Sequence, residues 1–263
     1  MARIAETFAR LRASGSPGLV AYVTAGDPNL ARTSEILVSL SASGADVLEV
    51  GVPFSDPLAD GPVIQRASER ALASGTTLRG VLAMIKSLRA SIDAPIVLFT
   101  YANPILRMGE DAFVRAAAEA GVDGVLTLDL PVEEAGPFRE RLVEAGIDPI
   151  FLLSPTTTDA RIRASAGLGR GFLYVISRLG VTGARSQVAS DAEALVKRIR
   201  AHSDLPLALG FGISSPEHVA EVGRWVDAAV VGSALVNVIA EHGTRPDVAD
   251  RAGAYVRWLK GQS

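Results

Sequence analysis

The fold is decided by a short stretch of sequence, Gly44-Ala45-Asp46-Val47-Leu48-Glu49-Val50. A glycine suited to the left-handed turn that closes a helix is followed at once by an apolar run typical of a buried strand. The same joint recurs as Gly121-Val122-Asp123 and as Gly146-Ile147-Asp148, each just before another apolar run. The repetition predicts one strand-and-helix unit used several times along the chain.

Short apolar runs of this kind recur along the whole chain, and most are near-continuously apolar, as in a parallel sheet covered by helices. They are Leu19–Val23, Val47–Val50, Ile96–Thr100, Val125–Leu128, Pro149–Leu153, Phe172–Ile176, Leu205–Leu209 and Ala228–Val231. Segments with helical spacing lie between them. Eight such units in about 250 residues predict an α/β protein, a closed (β/α)8 TIM barrel. An open doubly wound sheet is the alternative, although it usually has fewer strands.

Two features extend the plain barrel. A helix over Ala2–Leu11, apolar at Ile4, Phe8 and Leu11, precedes the first strand and is expected to plug the bottom of the barrel. The intervals after strands 2 and 6 are too long for a simple unit, so we expect long loops there, where function tends to lie. We interpret residues 1–263 as a single TIM-barrel domain.

Composition narrows the class of protein. The chain has 263 residues, 48% hydrophobic and 21% charged, with a net charge of −3 and no cysteine. The weak negative charge argues against nucleic acid or an anionic membrane as partner. The absence of cysteine excludes disulfides and thiolate chemistry and fits a reducing compartment. No apolar stretch approaches the about 20 residues of a membrane span, and no signal peptide is visible. We therefore expect a cytoplasmic protein.

The chemistry of a barrel lies at the C-terminal ends of its strands and in the loops that follow. No lysine falls there, so a Schiff-base mechanism has no candidate residue. No pair of histidines falls there either, which predicts no catalytic metal. Carboxylates remain as candidate catalytic groups.

Glu49 lies within the second apolar run, where either face of the strand would bury it. Burial raises the pKa of a carboxyl group, so this residue is a candidate proton donor and acceptor near neutral pH. The alternative is a structural glutamate bonded to a tyrosine or to backbone amides. The Pro- and Gly-rich segment Gly51–Pro62 adds Asp56 and Asp60, each of which is either a functional carboxylate or a turn-former.

Glycines follow three neighbouring strands of the predicted barrel: Gly180 and Gly183 after the sixth, Gly210 and Gly212 after the seventh, and Gly232 with Ser233 after the eighth. Glycine lets backbone N–H groups approach an anion, and a helix N-terminus adds its dipole. Together they predict a phosphorylated substrate, the alternative being ordinary turn glycines. Tyr174 and Phe211 either flank an aromatic ligand or belong to the core.

Residues 49–62, Glu-Val-Gly-Val-Pro-Phe-Ser-Asp-Pro-Leu-Ala-Asp-Gly-Pro, resemble the signature of the tryptophan synthase alpha chain family. The resemblance continues in family order through nearly the whole chain, in Ala25–Pro28, Tyr101–Pro104, Asp129–Pro131, Ser177–Gly183, Gly210–Ser214 and Gly232-Ser233. It implies a lyase of tryptophan biosynthesis that cleaves indole-3-glycerol phosphate to indole and glyceraldehyde 3-phosphate. It also implies a partner beta subunit in an alpha2-beta2 tetramer. Pyridoxal phosphate is expected in that partner, and no cofactor is expected in this chain.

The resemblance also assigns roles to individual residues. Glu49 and Asp60 would be the catalytic acid–base pair, and Thr182 would meet Asp60 when the loops close. Tyr174 and Phe211 would shape the indole pocket. Tyr22 departs from the family pattern and affects the polarity expected of that pocket. The phosphate is expected to bind at Gly183, Gly212, Gly232 and Ser233.

A partner surface is expected over the barrel mouth, because neutral, apolar indole would otherwise leak into solvent. The segments Pro53–Asp60, Ala102–Met108 and Asp129–Val132 are richer in apolar residues than exposed loops should be. We place Asp56, Asn103 and Pro131 at this interface, and Asp56 shares its loop with Asp60, which would couple the two subunits. The alternative is that these segments pack among themselves as a rigid loop cluster. The expected apolar patch comprises Pro57, Leu58, Pro104, Ile105, Leu106, Pro131 and Val132.

Other functions remain as alternatives. The chain is alternatively a stand-alone indole-glycerol-phosphate lyase or a non-catalytic activating subunit, and retention of both Glu49 and Asp60 argues against the second. A sugar-phosphate isomerase would require aspartates after strands one and five. These strands end in Val23-Thr24 and Leu153-Ser154, which argues against that function. Indole-glycerol-phosphate synthase would need a lysine at the mouth.

Overall fold

The apolar runs form parallel strands that close into a barrel in chain order, with β8 pairing back onto β1. A computed structural model describes residues 3–176, 185–210 and 212–262, and for 185–191 it describes the backbone alone. Closure confirms the (β/α)8 TIM barrel, and the open-sheet alternative is wrong. The strands are β1 (Gly18–Thr24), β2 (Val47–Gly51), β3 (Ile96–Thr100), β4 (Gly124–Thr127), β5 (Asp148–Leu153), β6 (Leu173–Ile176), β7 (Leu207–Gly210) and β8 (Ala228–Val231).

Helices surround the barrel and cover the outer faces of the strands. They are α1 (Arg3–Ser14), α2 (Leu30–Ala42), α3 (Pro62–Ala73), α4 (Leu78–Leu88), α5 (Ala102–Met108), α6 (Glu110–Ala120), α7 (Gly136–Glu144), α8 (Asp159–Leu168), α9 (Arg185–Arg200), α10 (Pro216–Val222), α11 (Ser233–His242) and α12 (Val248–Leu259). Within the described ranges, no helix is both long and apolar enough to cross a membrane.

Alternation along β2 decides which side chains enter the barrel. Leu48 and Val50 belong to the apolar layer between strands and helices, whereas Val47 belongs to the cluster inside the barrel. Because side chains alternate along a strand, Glu49 points the same way as Val47, into the barrel. The strand register places Tyr22 of β1 directly beside Glu49.

Helix α1 plugs the bottom of the barrel, as predicted, and extends three residues beyond the expected Leu11. Ile4 and Phe8 are buried in the inner cluster, with the ring of Phe8 5.5 Å from that of Phe172. Two arginines of the same helix bind aspartates at the bottom rim: Arg3 donates to Asp123 and Arg12 donates to Asp227, each at 2.9 Å. The N-terminal helix is therefore held by both apolar and charged contacts.

The repeated Gly-X-Asp joints have a structural role at this rim. Gly44, Gly121 and Gly146 take positive φ angles of 92°, 77° and 76°, the conformation predicted for glycine at a helix end. The carboxylate of Asp46 accepts a hydrogen bond from the backbone N–H of Leu19 at 2.9 Å, and that of Asp123 accepts one from Ile96 at 2.8 Å. Each of these two joints thus fastens the start of its strand to the strand before it.

The long interval after β2 holds the expected loop, residues 52–61, but most of its extra length is the additional helix α3. The segment after β6 that carries Thr182 and Gly183 lies outside the described residues.

Candidate active site

Glu49 lies fully buried inside the barrel, near its mouth. Burial, and after it the nearby charge of Asp60, raise the pKa of Glu49 to about 8, although the Tyr174 hydroxyl acts in the opposite direction. Among the described residues neither carboxyl oxygen has a partner in hydrogen-bonding geometry, Tyr174 included. The raised pKa expected from the strand pattern is confirmed.

Asp60 lies half-buried in the loop that follows the same strand. Burial raises the pKa of Asp60 to about 6, while a hydrogen bond from Tyr101 opposes the rise. The Tyr101 hydroxyl donates to Oδ2 of Asp60 at 2.9 Å and accepts from the N–H of Ala59 at 3.1 Å. At neutral pH the pair therefore presents a protonated Glu49 beside an ionised Asp60.

The loop that carries Asp60 is held from both sides. On one side the ring of Phe54 packs on that of Tyr101, with centroids 5.0 Å apart. On the other side Nε2 of Gln65, in the first turn of α3, donates to the carbonyl of Asp60 at 2.9 Å and to that of Pro57 at 3.4 Å. The shape of the loop thus depends on a helix that follows it in sequence.

Aromatic side chains from three strands lie around Glu49 inside the barrel. The ring of Phe99 lies 5.3 Å from Tyr22, edge to face, and 6.4 Å from Tyr174. The Tyr22 hydroxyl lies 3.3 Å from Oγ1 of Thr24, and its pKa is raised well above the usual value by burial and by the charge of Asp60. A planar apolar ligand would meet aromatic surface here and two carboxyl groups at its edge.

Glycines at two strand ends make room for these hydroxyls. A Cβ on Gly51 would lie 2.2 Å from the Tyr22 hydroxyl, and one on Gly210 would lie 2.7 Å from the Tyr174 hydroxyl. Both contacts are far shorter than side chains allow, so these two glycines are required by packing within the protein itself.

Gly232 differs, because a Cβ there would have its nearest neighbour 3.9 Å away, in Tyr22. Gly232 caps α11 without a side-chain hydrogen bond, and Ser233 follows it, exposed, in the first turn. A side chain at Gly232 would therefore find room beside Tyr22, and the first backbone N–H groups of a helix suit an anion. Gly212 has a φ of 63°, a conformation that favours glycine whether or not a ligand binds. Phe211, like Thr182 and Gly183, lies outside the described residues.

Residues assigned to a partner surface also lie at the mouth. Asp56, Asn103 and Pro131 are exposed, and Leu58 and Leu106 are 93% and 60% exposed. Part of the expected patch is wrong: Ile105 is only 2% exposed and packs in the outer core. The segment Ala102–Met108 is helix α5 rather than a loop, so one side of it turns inward.

Sequence reasoning missed Phe99, Tyr101 and Gln65 as site residues. Tyr101 directly follows β3, and Phe99 has the inward parity of Val97, so the rule of strand ends and alternation could have found both. Gln65 had no such signal, because its role depends on how α3 folds back on the loop. In the described part of the chain no cluster of histidine, aspartate and glutamate is arranged to hold a metal.

Comparisons with known proteins identify the family. A family profile described as tryptophan synthase alpha chain matches residues 8–259. The tryptophan synthase alpha chain of Geotalea uraniireducens (strain Rf4) is 49% identical over 260 residues, covering 99% of this chain and 97% of that protein. That of Paraburkholderia phytofirmans (strain DSM 17436 / LMG 22146 / PsJN) is 51% identical over 240 residues, covering 91% and 89%.

A solved structure agrees with these sequences. The crystal structure of tryptophan synthase subunit alpha from Legionella pneumophila str. Paris superposes with a TM-score of 0.91 at 39% identity, covering 99% of this chain and 98% of that one. Profile, sequences and structure each span nearly the whole barrel, including both carboxylates at its mouth. The chain therefore belongs to the tryptophan synthase alpha chain family.

Proposed function

We propose that this chain cleaves indole-3-glycerol phosphate with Glu49 as its general acid and base and Asp60 as its stabilising carboxylate. Tryptophan synthase alpha chains are lyases that cleave this substrate in tryptophan biosynthesis. The observation that carries the assignment is the pair of unlike carboxyl groups at the mouth, with pKa values of about 8 for Glu49 and about 6 for Asp60. Two carboxyl groups held in different environments can divide acid and base duties at one pH.

The reaction begins with a proton transfer to carbon 3 of the indole ring. Glu49, protonated at neutral pH, gives its proton to this carbon, which leaves the positive charge on the ring nitrogen. The side-chain hydroxyl next to the bond then gives its proton to the Glu49 carboxylate as the carbon–carbon bond breaks. The bonding electron pair returns to the ring and discharges the nitrogen, so indole and an aldehyde form and Glu49 is protonated again.

Asp60 acts on the charge that appears between these two steps. Its carboxylate is ionised at neutral pH and held by Tyr101, so it can face the positive ring nitrogen without reorganising. The aromatic wall of Tyr22, Phe99 and Tyr174 supplies the apolar surface for the ring. The turn at Gly232 and Ser233 supplies backbone N–H groups for the phosphate, and Gly212 and Gly183 are further expected contacts.

The remaining parts of the proposal concern context. The family acts with a beta subunit. We assign Asp56, Asn103 and Pro131 to that interface in an alpha2-beta2 tetramer, with pyridoxal phosphate in the partner alone. We also propose that residues 1–263 form a single domain, that the protein is cytoplasmic, and that Phe211 and Thr182 complete the pocket and the closed loop.

Replacement of Glu49 by glutamine tests the proposal directly. Glu49→Gln should keep the fold and the affinity for substrate but lower indole release by at least the ~10²–10⁴ that a general acid–base group contributes. Asp148→Asn is a matched control, because it changes a buried carboxyl at the opposite end of the barrel. Its rate should stay within a factor of two of the wild type.

The outcome separates the candidate functions. Indole release by the isolated wild-type chain excludes a non-catalytic activator. A Glu49→Gln variant that keeps more than a tenth of that rate would refute the role of Glu49.

A further inference from the structure

Helix α3 joins two loops of the mouth, and its second attachment has no role in the chemistry described above. The helix begins just after Asp60 and Gly61, and its last turn lies against the loop that follows β1. There the side chain of Asp27, only 4% exposed, accepts two hydrogen bonds from Arg70 of α3. Nε of Arg70 donates to Oδ1 at 2.8 Å and Nη2 donates to Oδ2 at 2.6 Å.

Further contacts tie the same loop to the end of α3. The hydroxyl of Ser74 donates to the carbonyl of Gly26 at 3.1 Å, while the N–H of Gly26 donates to Thr33 at 2.9 Å. Gly26 has a φ of 91°, and Thr76 fills the space that a side chain there would need. The loop therefore fits closely around the C-terminal end of α3.

The first turns of α3 contact both the loop that carries Asp60 and the side chain of Tyr22. Gln65 binds the carbonyls of Asp60 and Pro57, and Ile64 and Ala67 pack in one cluster with Tyr22. A displacement of α3 would thus move the main chain at Asp60 and one wall of the aromatic cavity together.

The paired hydrogen bonds between Asp27 and Arg70 orient the end of α3 against the loop. Two parallel hydrogen bonds between a guanidinium and a carboxylate set direction as well as distance. Removal of the arginine would leave a buried, uncompensated carboxylate, which the structure can relieve by opening the loop to water.

We propose that Asp27 and Arg70 are positioning residues for the cleavage reaction, because they fix α3 and, through Gln65, hold Asp60 within reach of Tyr101. The proposal rests on the proposed function, since it assumes that Asp60 must be placed accurately for turnover. It gives the Ala25-Gly26-Asp27-Pro28 segment a role in the geometry of the site rather than in contact with substrate.

The test compares two arginines that bind aspartates at opposite ends of the barrel. Arg70→Met should lower kcat about tenfold, within the ~10² that a displaced group can cost, and leave KM within a factor of two. It should also move the acid limb of the kcat/KM profile to higher pH, because Asp60 loses contact with Tyr101. Arg12→Met, which breaks the bond to Asp227 at the bottom rim, should lower the melting temperature. It should change neither kcat nor the position of the acid limb.

Two further variants make the result decisive. Arg70→Lys keeps the charge without the paired hydrogen bonds and should move the acid limb partway, so it reports even if Arg70→Met fails to fold. Gln65→Met should lower kcat as well. Combined with Arg70→Met it should lower kcat no further than the larger single effect, because both act through α3.

An acid limb that stays in place in Arg70→Lys and Arg70→Met, with only a lower melting temperature, would overturn the proposal. So would kcat losses of Arg70→Met and Gln65→Met that multiply. Failure of the proposed function looks different, because wild type would release no indole or Glu49→Gln would remain active.

Discussion

The hydroxyl of Tyr101 fixes the carboxylate of Asp60, to which it donates a 2.9 Å hydrogen bond. The same oxygen accepts from the N–H of Ala59 at 3.1 Å, so both its donor and an acceptor position are used. The aspartate of this loop is thereby oriented by a side chain that directly follows the next strand. The bond favours the ionised form of Asp60, against a burial that favours the neutral form.

The pH dependence of kcat/KM should be bell-shaped. Activity requires Asp60 ionised and Glu49 protonated, so it should fall below a pH of about 6 and again above about 8. Tyr101→Phe removes a bond that lowers the pKa of Asp60, so the acid limb should move to higher pH while the alkaline limb stays. Initial rates of indole release between pH 5 and 9 check this, and an acid limb that moves to lower pH would contradict it.

Gly232→Ala should raise the KM for indole-3-glycerol phosphate at least fivefold and leave stability nearly unchanged. The backbone φ of −109° lies outside the left-handed region that favours glycine, and the new Cβ would meet protein atoms only at ordinary contact distance. The methyl group would instead occupy space beside the N–H groups of α11. Gly212 is a poorer test site, because its φ of 63° would strain any side chain.

Gly167→Ala in α8 serves as the matched control, since a Cβ there also meets open space, away from the mouth. It should leave KM unchanged. An unchanged KM in Gly232→Ala as well would place the phosphate elsewhere.

Asp148→Asn should stabilise the protein at neutral pH. Burial raises the pKa of Asp148 to about 6, its Oδ2 has no partner among the described side and main chains, and the nearby charge of Arg170 lowers the pKa only in part. The folded state therefore binds the proton more tightly than the unfolded chain, so stability is lost as pH rises from about 4 through about 6. Asparagine should recover roughly 1–2 kcal/mol at pH 7, less than the full shift implies because water screens a group near the rim.

Urea unfolding of both proteins at pH 4 and pH 7 checks this difference, which should vanish at the lower pH. Asp123→Asn is the contrasting variant at the same rim, because that carboxylate binds Arg3 and the N–H of Ile96. It should destabilise. The prediction would be contradicted if the stability difference between Asp148→Asn and wild type were the same at pH 4 and pH 7.

Leu106→Glu should weaken association with a beta subunit at least tenfold and leave indole release by the isolated chain within a factor of two. The side chain is 60% exposed on α5 and belongs to the apolar patch at the mouth, where a charge would have to be buried. Asp56→Ala and Pro131→Asp should weaken association in the same way. Trp258→Glu alters another exposed apolar residue, on α12, and should leave association unchanged. Titration calorimetry measures each variant, and tight binding by Leu106→Glu would place the partner elsewhere.

The barrel follows from local features of the sequence. A glycine at a helix end and an apolar run after it are short-range signals, and their repetition through eight units leaves few ways to bury the runs. The same signals placed Glu49 in a buried strand and predicted its raised pKa, because burial on either face has the same effect on a carboxyl group. The sequence likewise predicted that the glycines and Ser233 lie at the C-terminal ends of strands.

Contacts between segments that are distant in sequence were decided only by the tertiary structure. The bond from Tyr101 to Asp60, the orphaned oxygen of Asp148 and the burial of Ile105 each depend on how one element packs against another. Helix α3 is a further example. The sequence showed a long interval after β2, but it did not show that Arg70 of α3 binds Asp27. Pattern and propensity act over a few residues, whereas hydrogen bonds and desolvation depend on distances in space, which are set only when the barrel closes.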